Sequence, residues 1–260
     1  MSITNKEAAA MLEEYVRPAS FPVAVKVSEG ESLPARARRP FDFLGHPVTI
    51  CQGISMARSM GWTVGFLRED HACAPSFVVL GLAEEPEMVK SGDLVHPLFG
   101  ETLESCARTQ GMIPTLPLGK ARSIVVAPLA KADFEPDVVL VYGTPAQAAR
   151  LIQGALYRQG GAITSTFVGR NSCAGELVAP FLTQECQVVV PGSGERLFAQ
   201  TQDHEMCFAI PRARLEDVTA GLAATHKAGG MRFPTPFQGL RARPQFPEKY
   251  HRLEEMFGVR

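Results

Sequence analysis

The sequence has no apolar run that approaches the roughly 18 residues needed to span a bilayer. It also has no excess of one charge, because 26 basic and 27 acidic residues leave a net charge of −1. These absences argue against a membrane protein and against a nucleic-acid-binding surface. The N-terminus lacks the apolar segment of a signal peptide, so we expect a cytoplasmic protein. A small-molecule substrate is the expected partner, and a homo-oligomer is a further option.

Motifs of several common enzyme classes are missing as well. There is no G-x-S-x-G nucleophile motif. The glycines of Pro191 to Phe198 match neither a dinucleotide fingerprint nor a phosphate-binding loop, and they favour a turn after a strand. The six histidines are scattered, which is a poor spacing for zinc. No two cysteines form a C-x-x-C pair, so a zinc ribbon is not indicated.

The order of the apolar patterns predicts an α+β or mixed α/β fold. We expect a single compact domain over residues 1–230, with one or two sheets covered by helices, and a proline-rich tail over residues 231–260 with a short helix near 248–256. The predicted strands cover 22–28, 77–82, 121–129, 136–143, 187–192 and 205–211, with a further one at 162–169. The predicted helices cover 5–16, 51–60, 84–92, 102–110, 145–159, 173–182 and 213–230.

A short sequence motif occurs in two distant segments. Cys51-Gln52-Gly53 is followed by Ala57, and Cys173-Ala174-Gly175 is followed by Ala179. Both read C-x-G-x-x-x-A at the expected start of a short helix. Either the chain consists of two related halves, or the match is chance in a protein with 23 glycines.

Cys51, Cys73 and Cys173 each stand where a polar segment meets an apolar element. Cys51 and Cys173 are expected at helix N-termini, where the peptide dipoles favour the thiolate that acts as a nucleophile or metal ligand. Three converging thiolates would suit iron, copper or an iron–sulfur cluster. The alternative is that each cysteine is a small buried apolar residue, which we favour for Cys186 and Cys207.

Three charged or titratable residues are candidates for catalysis near these thiols. Asp70 and His71 precede Cys73, and a carboxylate-assisted histidine base is one interpretation of them. Arg196 adjoins Glu195 after the glycine-rich turn, where the two charges either form a solvated surface pair or bind an anion.

Several phrases in a fixed order resemble the domain-of-unknown-function family 169 (DUF169), over about residues 22–229. They are PVAVKV, CQGISMAR, EDHACAPSFVVLGL, VKSG, VVAPL, FEPDVVLVYGTPAQAARL, GGAITSTFVGRNSCA and GERLFAQTQDHEMCFAIP. Members of this family are typical of anaerobic bacteria and archaea. The resemblance implies that Cys51, Cys73 and Cys173 are family cysteines, and their pattern suggests a 4Fe-4S cluster.

One departure from the family pattern bears on this expectation. Members often carry a further cysteine ahead of the G-x-R element, whereas this chain has Gly192 at that position, before Gly194-Glu195-Arg196. Either three thiolates bind a cluster with one open iron, or another residue completes the site, or this member has lost the metal.

Three functions therefore stay open. The first is an iron–sulfur enzyme of redox or lyase type, whose substrate binds near Asp70, His71 and Arg196. The second is a non-catalytic module that binds a small ligand or a metal. The third is a metal-free enzyme with a cysteine nucleophile, either Cys73 activated by His71 or Cys51 activated by its helix.

Overall fold

A computed structural model describes residues 3–229 and 247–258 of the chain. Its centre is one antiparallel sheet of six strands in the order β2-β3-β1-β4-β6-β5. The strands are β1 (Val23–Ser28), β2 (Val64–Phe66), β3 (Ser123–Pro128), β4 (Val138–Gly143), β5 (Gln187–Val189) and β6 (Met206–Pro211). With helices on both faces of this sheet, the α+β prediction is confirmed.

Helices cover both faces of the sheet. The described α-helices are α1 (Asn5–Tyr15), α2 (Pro40–Leu44), α3 (Ile50–Ser55), α4 (Ala74–Val79), α5 (Glu87–Lys90), α6 (Leu103–Gln110), α7 (Pro145–Leu156), α8 (Ala179–Thr183), α9 (Ser193–Ala199), α10 (Leu215–Ala228) and α11 (Glu248–Met256). Two π-helical segments, Met56–Met60 and Ala174–Val178, adjoin α3 and α8. None of the described helices is long and apolar enough to cross a membrane.

The two faces bury separate cores because the strands alternate. In β4, Val139 and Val141 pack towards α1, α7 and α10, whereas Leu140 and Tyr142 pack towards α3, α4 and the π-helical segments. A strand that is apolar on both faces reads as a continuous apolar run, as β4 does. The segments that carry Cys51 and Cys173 therefore lie on the same face, whereas Cys186 lies on the other.

Local sequence signals explain most of the confirmed elements. Thr144 caps α7 by accepting a hydrogen bond from the Gln147 backbone, and Pro145 occupies the first helical position. The short tail helix is present as α11. The proline-rich residues 230–246 lie outside the described residues, and the domain boundary at 230 stays a prediction.

Four segments differ from the prediction. The strand expected at 77–82 is wrong, because Phe77 to Val79 belong to α4, whose second residue is Pro75. A short apolar run is compatible with either a strand or a buried helix, and here the proline in the first turn favours the helix. Residues 162–169 form no strand, the expected turn after Gly192 is helix α9, and the short strand β2 was not predicted.

The sheet consists of two topologically equivalent halves, β1-β2-β3 and β4-β5-β6, which meet at the antiparallel pair of β1 and β4. The registers agree as well as the order. Val23 pairs with Pro128 in the first half, and Val138 pairs with Pro211 in the second. The outer strands repeat the match, since Val64–Val126 corresponds to Gln187–Ala209. The repeated C-x-G-x-x-x-A motif thus coincides with a repeat in the fold.

Candidate functional site

Cys51 and Cys173 occupy equivalent places in the two halves. Cys51 is the second residue of α3, and Cys173 directly precedes the π-helical segment Ala174–Val178. Each is followed by a glycine that approaches the last residue of the next edge strand. A Cβ on Gly53 would overlap the Phe66 ring, and one on Gly175 would lie 3.2 Å from the Val189 methyls. The glycines let each cysteine-bearing helix pack closely on the sheet.

Cys73 and Gly192 are a second equivalent pair. Each is the N-cap residue of the helix that follows an edge strand, α4 after β2 and α9 after β5. Gly192 is therefore the counterpart of Cys73 in the second half. Gly192 lies against the segment before Cys173, because its amide donates to Ser172 Oγ at 2.7 Å.

The three expected thiols lie close enough to influence one another. The pKa of Cys51 is raised well above its usual value, first by burial and then by Glu195, Cys173, Glu176 and Cys73. Burial also raises the pKa of Cys173, with further contributions from Cys73 and the same two glutamates. The fold thus brings together residues from four separate segments of both halves.

The helix N-termini do not make Cys51 and Cys173 thiolates, in contrast to the expectation from the peptide dipoles. Burial and the neighbouring negative charges both disfavour an anion, and they outweigh the dipole of such short helices. Cys51 retains some exposed surface, but protein surrounds most of its thiol. Without a cation nearby, these two cysteines are protonated at neutral pH.

Two buried glutamates lie beside the thiols. Glu176 is fully buried, and its Oε1 accepts a hydrogen bond of 2.9 Å from the Tyr142 hydroxyl. Glu195 is 3% exposed, and its Oε1 accepts one of 3.0 Å from Thr201 Oγ1. Burial and the charge of Glu195 raise the pKa of Glu176 well above its usual value.

The Glu176 and Glu195 carboxyls lie within hydrogen-bonding reach of each other. Glu176 Oε2 and Glu195 Oε2 are buried without a clear hydrogen-bond partner among the described residues. The two side chains are near enough for a shared proton to satisfy both, which agrees with the raised pKa of Glu176. Buried polar atoms without a donor are rare in folded proteins, so this pair of carboxyls marks a candidate ligand site.

A fourth thiol and a buried ion pair adjoin the carboxyls. Burial, followed by Glu176 and Glu195, raises the pKa of Cys207 well above its usual value. Arg58 packs over the Tyr142 ring at 4.2 Å and binds Glu205 through both carboxylate oxygens. Although burial opposes it, the hydrogen bond from Arg58 lowers the pKa of Glu205.

Asp70 and His71 make contacts that stabilise the fold. The Asp70 carboxylate accepts hydrogen bonds from Arg39 Nε at 3.0 Å and from the backbone amides of Leu67 and Phe41 at 2.9 and 3.2 Å. His71 Nδ1 has no hydrogen-bond partner among the described residues, so Asp70 does not assist it as a base. Burial lowers the pKa of His71 to about 4, and its ring packs against Phe66.

Arg196 holds the loop around α9. Its Nε donates to Pro191 O at 3.1 Å, and its Nη1 donates to Gln202 O. The expected surface pair with Glu195 is absent from these contacts, since Glu195 is buried and bonds to Thr201. Arg196 positions the loop that follows Glu195, whereas Glu195 itself faces the thiols.

Five residues were not predicted from the sequence to be neighbours of the site. They are Glu176, Glu195, Tyr142, Arg58 and Cys207. Glu176 follows Cys173 by three residues, one helical turn, which is a usable signal once Cys173 is suspected. Cys186 lies apart from the site, with Arg214 and Glu185 as its charged neighbours, and burial raises its pKa to about 12.

The described side chains near the thiols are of types that bind metals, but their arrangement does not form a metal site. No three His, Cys, Asp or Glu side chains within residues 3–229 and 247–258 are arranged to hold a metal ion. A cation would nevertheless favour deprotonation of Cys51, Cys173 and Glu176, whose pKa values are raised by burial, because its charge reverses the local preference. Cys51, Cys73 and Cys173 would supply soft sulfur ligands, and Glu195 an oxygen ligand.

Comparison with known proteins identifies the family of this chain. The family model DUF169, described as uncharacterised ArCR, matches residues 11–221, and the chain belongs to this family. It is similar to the uncharacterised protein MJ0308 of Methanocaldococcus jannaschii, with 28% identity over 204 residues. That match covers 77% of this chain and 85% of the relative. No solved structure matches the chain.

Proposed function

We propose that Cys51, Cys73 and Cys173 bind an iron–sulfur cluster of the 4Fe-4S type, and that the protein is a redox or lyase-type enzyme acting on a small molecule. The observation that supports this most is the shared neighbourhood of the three thiols with Glu176 and Glu195. Two equivalent halves of the fold supply the positions, three of which are cysteines and the fourth Gly192.

The fourth ligand follows from the same arrangement. Gly192 has no side chain that could bind a metal. Glu195 lies three residues later on α9, and its Oε2 has no hydrogen-bond donor among the described residues. A cluster held by three thiolates keeps one iron for a weaker oxygen ligand or for substrate. We infer that the Glu195 carboxylate binds this iron or limits access to it.

The protein's own side chains have defined tasks in this proposal. The bound cluster would supply electrons or a Lewis-acidic iron. Tyr142 and Thr201 orient the two carboxyls by hydrogen bonds, and Glu176 holds a proton close to the thiols. A protonated carboxyl beside a substrate site can act as a general acid.

The test is iron and acid-labile sulfide analysis of protein purified or reconstituted without oxygen, together with its absorption and EPR spectra. We expect a brown protein that bleaches in air. Cys51→Ser, Cys73→Ser and Cys173→Ser should each lower the iron content strongly, whereas Cys186→Ser, outside the site, should retain it. The reducing cytoplasm remains the proposed compartment.

Two results would replace this proposal with the alternatives. A colourless protein with one rapidly alkylated thiol indicates a cysteine nucleophile, for which Cys73 and Cys51 are the accessible candidates because both are partly exposed. A colourless protein without a reactive thiol indicates a non-catalytic binding module. Equal iron loss in Cys186→Ser and Cys173→Ser would show that the iron is bound without a specific site.

A further inference from the structure

A cavity of about 610 Å³ lies beside the second cysteine-bearing segment. Its walls come from the turn after α6, from the stretch between residues 164 and 175, from α8, and from the segment that contains β5 and the start of α9. A volume of this size is within the range of small-molecule sites in proteins. Ala174, Gly175 and Gly192 are part of the wall, so the cavity adjoins Cys173.

Arg170 is the only charged residue among the described residues that line this cavity. It is 9% exposed, and it makes no ion pair with a described residue. Its Nη2 donates to Gln110 Oε1 at 2.9 Å, while its Nε is buried without a partner. A guanidinium has five N–H donors, so most of its capacity is unused.

The single partner of Arg170 holds it in place without neutralising it. Gln110 Nε2 donates to Glu85 Oε1 at 2.9 Å, which orients the amide oxygen of Gln110 towards Arg170. A neutral amide cannot compensate a buried positive charge as a carboxylate would. Burial accordingly lowers the pKa of Arg170 from its usual value. An anion in the cavity would supply the missing charge.

The rest of the lining is mainly apolar, with a few hydroxyl groups. The apolar side chains include Met112, Ile113, Phe167, Leu182 and Val190. Thr164 and Thr166 add hydroxyl groups, and the described lining contains no acidic residue that would repel an anion. This combination suits a molecule with one anionic group and an apolar body.

We propose that this cavity binds a small organic anion, with the guanidinium of Arg170 binding its anionic group and the apolar wall binding the remainder. Carboxylates and phosphates share the chemistry that a guanidinium binds in a bidentate manner. The site goes beyond the proposed metal centre and does not require it. Its place beside Cys173 makes it the substrate site only if the metal centre exists.

Isothermal titration calorimetry on the metal-free full chain tests the proposal, with hexanoate, hexyl phosphate and the uncharged hexanamide as probes. We expect at least one anion to bind, and hexanamide to bind at least about tenfold more weakly. The tighter of the two anions identifies the headgroup. Because no metal is present, failure of the iron–sulfur proposal leaves this experiment unaffected.

Variants separate the role of Arg170 from general damage to the fold. Arg170→Gln should lose the anion at least about tenfold in affinity, and Arg170→Lys should weaken it because an ammonium cannot bind with a planar fork. Val190→Trp should block the half-exposed wall without touching the guanidinium. Arg122→Gln, an exposed arginine outside the cavity, is the matched control and should bind normally.

The proposal is overturned if neither anion binds to folded protein, or if hexanamide binds as tightly as the anions. Unchanged affinity in a folded Arg170→Gln variant would also overturn it. Circular dichroism shows whether the Arg170→Gln variant folds. If it does not, anion binding by Arg170→Lys and Val190→Trp tests the proposal, and wild-type affinity in both variants would overturn it.

Discussion

Arg58 and Glu205 form a two-pronged ion pair, with Nη1 2.6 Å from Oε1 and Nη2 2.9 Å from Oε2. Arg58 belongs to the π-helical segment of the first half, and Glu205 directly precedes β6 of the second half. Thr201 extends the contact by accepting from Arg58 at 3.4 Å and donating to Glu195. The pair therefore connects the two halves next to the thiols and supports the position of Glu195.

Removing one partner of this pair should destabilise the fold strongly. Glu205→Gln leaves the buried guanidinium of Arg58 without its counter-charge, which typically costs about 3–5 kcal/mol. Glu31→Gln removes the partner of Arg122 in an exposed pair and should cost about 1 kcal/mol or less. Urea unfolding of both variants measures the difference. Similar losses in the two variants would contradict the importance of the buried pair.

The same pair should make stability fall in acid. The pKa of Glu205 is lower in the folded protein than its usual value of 4.5, so its contribution is present above about pH 4.5 and is lost as the pH falls through the folded pKa. Glu205→Gln should show a shallower loss of unfolding free energy below pH 4.5 than the wild type. Denaturant titrations at several pH values test this, and parallel pH profiles of the two proteins would refute it.

Leu151 should be a principal contact between α7 and the sheet. It is 1% exposed and packs in the core that contains Leu215, Val218 and Leu222 of α10. Leu151→Ala should cost about 2–5 kcal/mol, because it removes buried methyl groups and leaves a cavity. Gln153→Ala, on the exposed face of the same helix, should change stability by about 0.5 kcal/mol at most. A loss below about 1 kcal/mol for Leu151→Ala would mean that the site repacks.

The crossing of α7 and α10 depends on two glycines. A Cβ on Gly221 would overlap the carbonyl oxygen of Gly154, and a backbone atom cannot move aside as a side chain can. Gly221→Ala should therefore destabilise the protein by about 1–3 kcal/mol or more despite the better helix propensity of alanine. Gly111→Ala is the control, because the nearest atoms to a Cβ there are the carbonyl oxygens of Ala107 and Arg108 at 3.7 Å. A thermal melt in which Gly221→Ala equals or exceeds the wild type would contradict the close crossing.

Gly192→Cys should restore a fourth thiol to the proposed metal centre. Gly192 has an ordinary negative φ of −78°, and a Cβ there would lie 3.2 Å from the Arg170 Cα, so only a small shift is required. We expect the anaerobically reconstituted variant to hold its iron and sulfide longer in air than the wild type, because the open iron gains a thiolate. Bleaching rates at the cluster absorption measure this.

The control for that experiment is Gly194→Cys. It adds a thiol two residues away at an exposed position, where a Cβ would have only ordinary contacts with Phe198. The control should bleach like the wild type. Equal protection by both substitutions would show that an added thiol acts without regard to position, and the equivalence of Gly192 and Cys73 would then have no bearing on metal binding.

Much of the fold was predictable because its signals are local. Thr144 and Pro145 mark the start of α7, and the apolar runs of β3 and β4 are too long and too rich in valine for another interpretation. The site was predictable only in its cysteines. Asp70 resembles a catalytic acid in the sequence, yet its hydrogen bonds from Arg39, Leu67 and Phe41 depend on residues up to 31 positions away.

Local patterns were enough to predict the α+β class, the main strands, the capped helices and the three cysteines at element boundaries, since each depends on neighbouring residues or on a resemblance. Three features became visible only in the folded chain: Phe77 to Val79 are helical, Glu195 is buried, and Gly192 is the counterpart of Cys73. Burial accounts for this difference, because what the rest of the chain packs against a segment decides whether a short apolar run is helix or strand and whether a carboxyl is exposed to water or buried.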